Sequence, residues 1–154
     1  MITSFQGEYR FLSNFWPAKV EMDGQIYPTV EHAYQAAKTL DRNLRLLIRV
    51  EDFPGGAKRR GSQVILRPGW DQLKLSIMES LLRQKFDLER VSKAVSYEWI
   101  MEKAKLRTLL LTTYPKVLIE SNTWGDTFWG VCAGHGSNHL GRLLMKIREE
   151  LRNA

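Results

Sequence analysis

A single cysteine, Cys132, stands among the 154 residues, so no internal disulfide can staple the chain, which fits a reducing cytoplasm. Proline is scarce, at five residues, and no Pro/Gly/Ser-rich stretch or internal repeat interrupts the sequence. That excludes a linker-divided or low-complexity architecture and points to a single domain over residues 1–154. No apolar run approaches the roughly 20 residues a membrane span needs, so no membrane partner is expected. The opening MITSFQGEYRFLSNF has neither a basic region nor an apolar core, and no secretory signal is expected. A phosphate loop, a G-x-G-x-x-G turn after a strand and a G-x-S-x-G elbow are all missing, which argues against the common nucleotide folds and serine hydrolases. The composition that remains is ordinary, 44% hydrophobic and 26% charged, enough for one core. Lys+Arg 23 against Asp+Glu 17 leaves +6. That modest excess suits phosphorylated metabolites, nucleotides or nucleic acid without choosing among them.

Pattern along the chain predicts a helix-rich α+β domain with a small β-sheet. Residues 19–26 (KVEMDGQI) alternate around Asp23-Gly24, a two-residue turn between short strands. Thr29 reads as the N-cap of a helix running to about Leu40, with Glu31 in its first turn. A second helix is expected over 43–50, and FPGGAKRRG at 53–61 reads as a turn-rich basic loop. Leu73, Ile77, Met78, Leu81 and Leu82 form an apolar helical face after Pro68-Gly69, and helical pattern resumes over 91–113. Residues 117–119 suggest a short buried strand. In the last helix Leu140, Leu143, Leu144, Ile147 and Leu151 share one face and should pack on the core.

Three places carry candidate chemistry. Glu31, Tyr34, Gln35 and Lys38 fall at i, i+3, i+4 and i+7, so one helix face carries a carboxylate, an aromatic, an amide and an amine. They line either a polar pocket or a solvated surface. Residues 120–141 crowd Trp124, Trp129, Asp126 and several glycines ahead of a helix start capped by Ser137 or Asn138. Such a segment is able to offer N–H groups to phosphate and rings to a base; a loop pinned by buried tryptophans explains it equally well. Lys58-Arg59-Arg60 would hold phosphate or form a solvated tip, and Arg10 and Asn14 are polar positions amid aromatics. The Cys132, His135, His139 spacing is zinc-like but offers three ligands without a second cluster, so no metal is expected.

Together these segments resemble the YbiA-like family, also called NADAR (NAD- and ADP-ribose-associated), from about Gly7 to Arg148. YRFLSNF at 9–15 resembles its opening motif. Gly24 followed by Pro28-Thr29-Val30-Glu31-His32 and Gln35-Ala36-Ala37-Lys38 resembles its helix entry. Ala57, Arg59 and Gly61 fit its basic loop, and Leu66-Arg67, Trp70, Lys74, Met78 and Lys85-Phe86 its next helix. Glu120, Asp126, Trp129-Gly130, Asn138, Leu140-Gly141, Leu144-Met145 and Arg148 fit its C-terminal signature. The chain departs from the family at Cys132, where glycine is usual, in a glycine loop one residue longer before Asn138, and in added length between Phe86 and Leu106.

The resemblance implies a YbiA-like fold and hydrolysis of an N-glycosidic bond at ribose C1, without cofactor or metal. Its substrates would be phosphorylated ribosylaminopyrimidine intermediates of riboflavin synthesis, or ADP-ribose attached to guanine in nucleic acid. Both carry an exocyclic amine on ribose C1. Lys38 is then the expected nucleophile through a Schiff base, with Glu31 moving the proton. In a competing route Glu31 or Asp126 assists direct attack by water. Trp70 and Trp129 would flank base or sugar, Asn14 and Asp126 would meet hydroxyls, and Arg10, Lys58 and Arg59 would meet phosphate. Tyr34, Gly130 and Asn138 complete the expected binding set. Two other functions remain open at this point: a non-catalytic module binding ADP-ribose or NAD, and a basic nucleic-acid-binding protein.

Overall fold

The computed structural model describes residues 1–86 and 96–154. A 3-10 turn, Gly7–Leu12, leads to β1 (Val20–Met22) and β2 (Gln25–Tyr27), which pair antiparallel with Val20 opposite Tyr27. The turn between them is the expected one. Asp23 and Gly24 have φ 50° and 81°, the left-handed pair that a tight hairpin requires.

The helix α1 (Val30–Ala37) follows at once, and all eight of its residues are buried. A helix buried on every side belongs at the centre, and α1 packs on α2 (Arg42–Arg49), α3 (Pro54–Gly61) and α4 (Trp70–Phe86). Its small residues Ala33, Ala36 and Ala37 permit that crowding. Thr29 caps the start, its hydroxyl oxygen accepting from the His32 N–H at 3.0 Å. The helix stops at Ala37, three residues before the expected Leu40, because Arg67 covers its end. The Arg67 N–H donates to the Lys38 carbonyl at 2.8 Å and its guanidinium reaches the Ala37 carbonyl at 3.4 Å. Lys38 is thus the C-cap, still helical at φ −65°, and its side chain keeps the face shared with Glu31.

The segment expected to be a basic loop is the helix α3. Pro54 sits in its first turn, where a missing N–H costs nothing, and Gly56 and Gly61 are contact points. A methyl at Gly61 would overlap the Gln35 side chain, and one at Gly56 the Glu51 side chain. Gly61 therefore serves close approach to α1 and Gly56 close approach to the α2–α3 connection, which local composition alone misreads as a turn.

The helix α5 is Tyr97–Thr112 and the helix α6 is His139–Arg152. The part of the expected 91–113 helix before Ser96 lies outside the described residues, as do residues 87–95 of the added length. Leu140, Leu144, Ile147 and Leu151 of α6 are buried and Leu143 partly so. Residues 117–119 form no named strand. They tie the N-terminus down instead, with the Ile2 N–H donating to the Val117 carbonyl and the Ile119 N–H to the Ile2 carbonyl, both at 2.8 Å. A parallel pair, β3 (Ser121–Asn122) and β4 (Val131–Cys132), brackets the loop that carries Trp124 and Asp126. The class is α+β, and the single small sheet expected is two separate two-stranded ladders among the described residues. No described helix is long and apolar enough to cross a membrane.

Candidate active site

The i, i+3, i+4, i+7 face of α1 opens onto a cavity of about 420 Å³ rather than bulk water, and Glu31, Tyr34, Gln35 and Lys38 all line it. Opposite walls come from Ser13, Asn14 and Phe15 after the 3-10 turn, from Lys58 of α3, and from Glu120, Trp124, Asp126 and Trp129 around the β3–β4 loop.

Glu31 is only 7% exposed, and one of its carboxylate oxygens accepts from Gln35 Nε2 at 2.7 Å. Burial pushes its carboxyl pKa up, against the pull of the Gln35 amide and of the Lys58 and Lys38 charges. Burial moves the Lys38 ammonium the other way, below the ordinary lysine value. Glu31 opposes that shift, while Lys58 and Lys74 reinforce it. A carboxyl shifted upward and an ammonium shifted downward thus face the same space.

Tyr34 backs this pair. Its ring lies 5.6 Å from Lys38 Nζ, and its hydroxyl oxygen accepts from Trp129 Nε1 at 3.2 Å. Burial holds the phenol above its usual pKa, so it remains neutral. Asp126 is fixed through one oxygen, which accepts from the N–H groups of Phe128 (3.1 Å) and Trp129 (2.9 Å). Asn14 is 8% exposed; its amide N–H contacts the Met78 sulfur at 3.5 Å, and its carbonyl oxygen has no hydrogen-bond partner. A buried acceptor left open on a cavity wall is placed to receive a hydroxyl. Glu120 has a carboxyl raised by burial, with one oxygen accepting from Asn122 Nδ2 at 3.1 Å.

Seven residues expected from sequence therefore share the cavity: Glu31, Lys38, Asp126, Asn14, Tyr34, Lys58 and Trp129. Five do not line it. Trp70 is buried behind Tyr34, the ring centroids 5.3 Å apart, and supports that ring instead of facing the space. Arg10 belongs to a neighbouring groove with Trp16 and Pro54, its guanidinium 5.7 Å from the Trp16 ring. Arg59 is exposed on α3, one position past Lys58 and turned away by helical geometry. Gly130 is a packing notch, where a methyl would overlap the Glu120 carboxylate and carbonyl. Asn138 is a strut: its side chain accepts from the Glu120 N–H at 3.0 Å and donates to the Leu118 carbonyl at 2.9 Å.

Gln35, Glu120 and Trp124 also line the cavity and were absent from the binding set implied by the resemblance, although each stood in a segment already marked. Gln35 shared the helix face and Glu120 opened the C-terminal signature. Trp124 reads from sequence as a ring able to meet a base, but the set implied by the resemblance carries Trp70, because sequence does not reveal which indole is buried. Cys132 and His135 exchange backbone hydrogen bonds (2.8 and 3.0 Å), and the His139 ring leans on Phe128. No group of three His, Cys, Asp or Glu among the described residues is placed to hold a metal ion.

The NADAR domain family profile matches residues 3–152. The chain belongs to the NADAR family. It is 40% identical to N-glycosidase YbiA of Escherichia coli (strain K12), over 96% of this chain and 85% of that protein. An N-glycosidase of Nostoc punctiforme is 36% identical over 94% of this chain and 87% of its own length. A riboflavin biosynthesis protein of Vibrio vulnificus is 34% identical over 92% of this chain, which spans 35% of that longer protein. The NMR structure of E. coli YbiA superposes with a TM-score of 0.77 at 37% identity, covering 99% of this chain and 83% of that one. As a NADAR protein with such relatives, the chain is a hydrolase of N-glycosyl compounds, which sets aside the two non-catalytic readings.

Proposed function

We propose that the cavity hydrolyses the bond between ribose C1 and an exocyclic amine on a base, through a Schiff base on Lys38. The observation that carries this reading is the convergence of Glu31 and Lys38 on one cavity, with burial biasing the carboxyl toward its acid form and the lysine toward its free amine. A neutral amine is the form able to add to C1.

The chemistry runs as follows. The lone pair of the exocyclic nitrogen forms a C1–N double bond as the bond from C1 to the ring oxygen breaks, and Glu31 delivers a proton to that oxygen. Lys38 Nζ adds to C1, its surplus proton passes through Glu31 to the departing nitrogen, and the base leaves as its free amine. Water then adds to the Lys38 imine, and the C1–Nζ bond breaks to release ribose as its aldehyde, which closes to the hemiacetal, while the proton left on Lys38 returns to Glu31. One water is consumed and Lys38 is regenerated. In this reading Asn14 and Asp126 bind ribose hydroxyls, and Lys58 binds phosphate and tunes both reacting groups.

Two substrate types satisfy this chemistry, phosphorylated ribosylaminopyrimidines and ADP-ribose on guanine in nucleic acid; the riboflavin-synthesis name of the Vibrio relative supports the first. Incubation with each, with released base followed by mass spectrometry, chooses between them. Borohydride added during turnover should reduce the imine and leave a stable sugar adduct on Lys38. Base release without any adduct at that position would favour direct attack by water.

A further inference from the structure

Trp124 is 57% exposed although it lines the cavity. Exposure of a large ring forgoes the burial that usually governs tryptophan, yet the loop beneath it is tightly built. Asn122, itself 8% exposed, bridges both backbone groups of Asp126: its Nδ2 donates to the Asp126 carbonyl at 2.8 Å and its Oδ1 accepts from the Asp126 N–H at 3.0 Å. The Asp126 carboxylate then caps Phe128 and Trp129, so the exit of the loop is fixed as well. Between these anchors Gly125, at φ 85°, supplies the left-handed turn next to the ring. Lys58 Nζ lies 5.2 Å from the Trp124 ring centroid and leaves more than half of the side chain open.

Lys58 also relates the ring to the reacting groups, since its charge acts on both Glu31 and Lys38. Trp124 lines the same cavity as the pair that would work on C1. A base joined to C1 through an exocyclic nitrogen extends only a bond or two beyond that carbon before it becomes a flat ring.

We infer that the 122–126 loop is a preorganised stacking platform, and that Trp124 selects N-ribosides whose leaving amine sits on a planar heteroaromatic base. This rests on the N-glycosidase reading above and adds the half of the substrate outside the ribose. The catalytic groups act on the sugar, while the rim discriminates by the π-face of what departs.

The test compares wild type, Trp124→Ala and Trp124→Phe with a phosphorylated ribosylaminopyrimidine as substrate and ribose 5-phosphate as competitive inhibitor. Loss of a base–aromatic stack should raise KM about ten-fold or more in the alanine variant, with phenylalanine restoring most of it. Inhibition by ribose 5-phosphate, which has no base, should stay within about two-fold. An unchanged KM, or equal weakening toward ribose 5-phosphate, would overturn the proposal. A second readout does not need turnover: the free aminopyrimidine should quench tryptophan fluorescence saturably in wild type and far less in Trp124→Phe. Equal quenching in both would also overturn it. Absence of base release with the Trp124-dependent quench intact would instead remove the N-glycosidase reading and leave the platform standing.

Discussion

Gln35 Nε2 donates to Glu31 Oε1 at 2.7 Å from one turn further along the same buried helix. That bond is a main counterweight to the burial that lifts the Glu31 carboxyl, because it favours the ionised form. The Gln35 amide in turn rests against Gly61 of α3, where any Cβ would displace it. Gln35→Leu should therefore raise the Glu31 pKa further and move the corresponding limb of the pH–rate profile to higher pH. Gly61→Ala should act in the same direction from a distance, by pushing the amide off Glu31. A hydrogen bond to a charged group is worth about 1.5–3 kcal/mol, so each change should cost roughly 10-fold or more in kcat/KM. Steady-state rates across pH for the two variants check this. A Gly61→Ala profile identical to wild type would show that the amide does not position Glu31.

Lys58 acts on Glu31 and Lys38 with the same sign. Its positive charge lowers the Glu31 carboxyl and also lowers the Lys38 ammonium. Lys58→Ala should hence raise both, shifting the whole profile alkaline instead of narrowing it. Since Lys58 is exposed, added salt should reproduce part of the shift in wild type by screening. Profiles recorded at low and high ionic strength separate this behaviour from simple loss of substrate affinity, which would lower rates without moving the limbs.

Much of the site was legible because helical spacing is a strong constraint. Glu31, Tyr34, Gln35 and Lys38 at i, i+3, i+4 and i+7 had to share a face, and Thr29 marked where that face begins. Whether the face met water or a cavity was not legible, since that depends on α3 and the β3–β4 loop folding over it. The misreadings have the same origin. Gly56 and Gly61 look like loop residues locally and are notches only in three dimensions, Gly61 for Gln35 of α1 and Gly56 for the Glu51 side chain. Trp70 and Trp124 are chemically alike in sequence, yet one is 5% exposed and the other 57%, a difference set by tertiary packing. Strands of two residues, such as β3 and β4, are too short to show an alternation.

His32 ties the start of α1 to the α2–α3 connection. Its Nδ1 lies 2.7 Å from the Thr29 hydroxyl and its Nε2 donates to the Glu51 carbonyl at 2.9 Å. Burial holds the imidazole below its ordinary value of 6.5. The unfolded chain then binds more protons than the folded one as pH falls below that value, so stability is full above about pH 6.5 and declines beneath it. His32→Gln should lose roughly 1–2 kcal/mol at pH 7 from the broken bonds and should flatten the acid-side decline. Urea unfolding between pH 5 and pH 8 measures both effects, and an undiminished slope in the variant would assign the decline to other groups.

Lys85 is fully buried in α4, and its ammonium donates to the Ser13 carbonyl at 2.8 Å, holding the segment that presents Asn14 to the cavity. Burial brings this lysine from 10.5 down to about 7. Between those values the unfolded chain carries a proton that the folded chain has shed, so this residue makes stability rise with pH from about 7 to 10.5 and contributes no slope below 7. Lys85→Met removes the titrating group and leaves the Ser13 carbonyl without its donor. The difference in unfolding free energy between wild type and variant should grow in favour of wild type across that alkaline window, and should be constant at lower pH. Because Ser13 and Asn14 follow one another on the cavity wall, the variant should also weaken ribose 5-phosphate inhibition while leaving borohydride trapping at Lys38 intact. Loss of trapping together with weakened inhibition would mean that Lys85 supports the entire cavity and not the Asn14 wall alone.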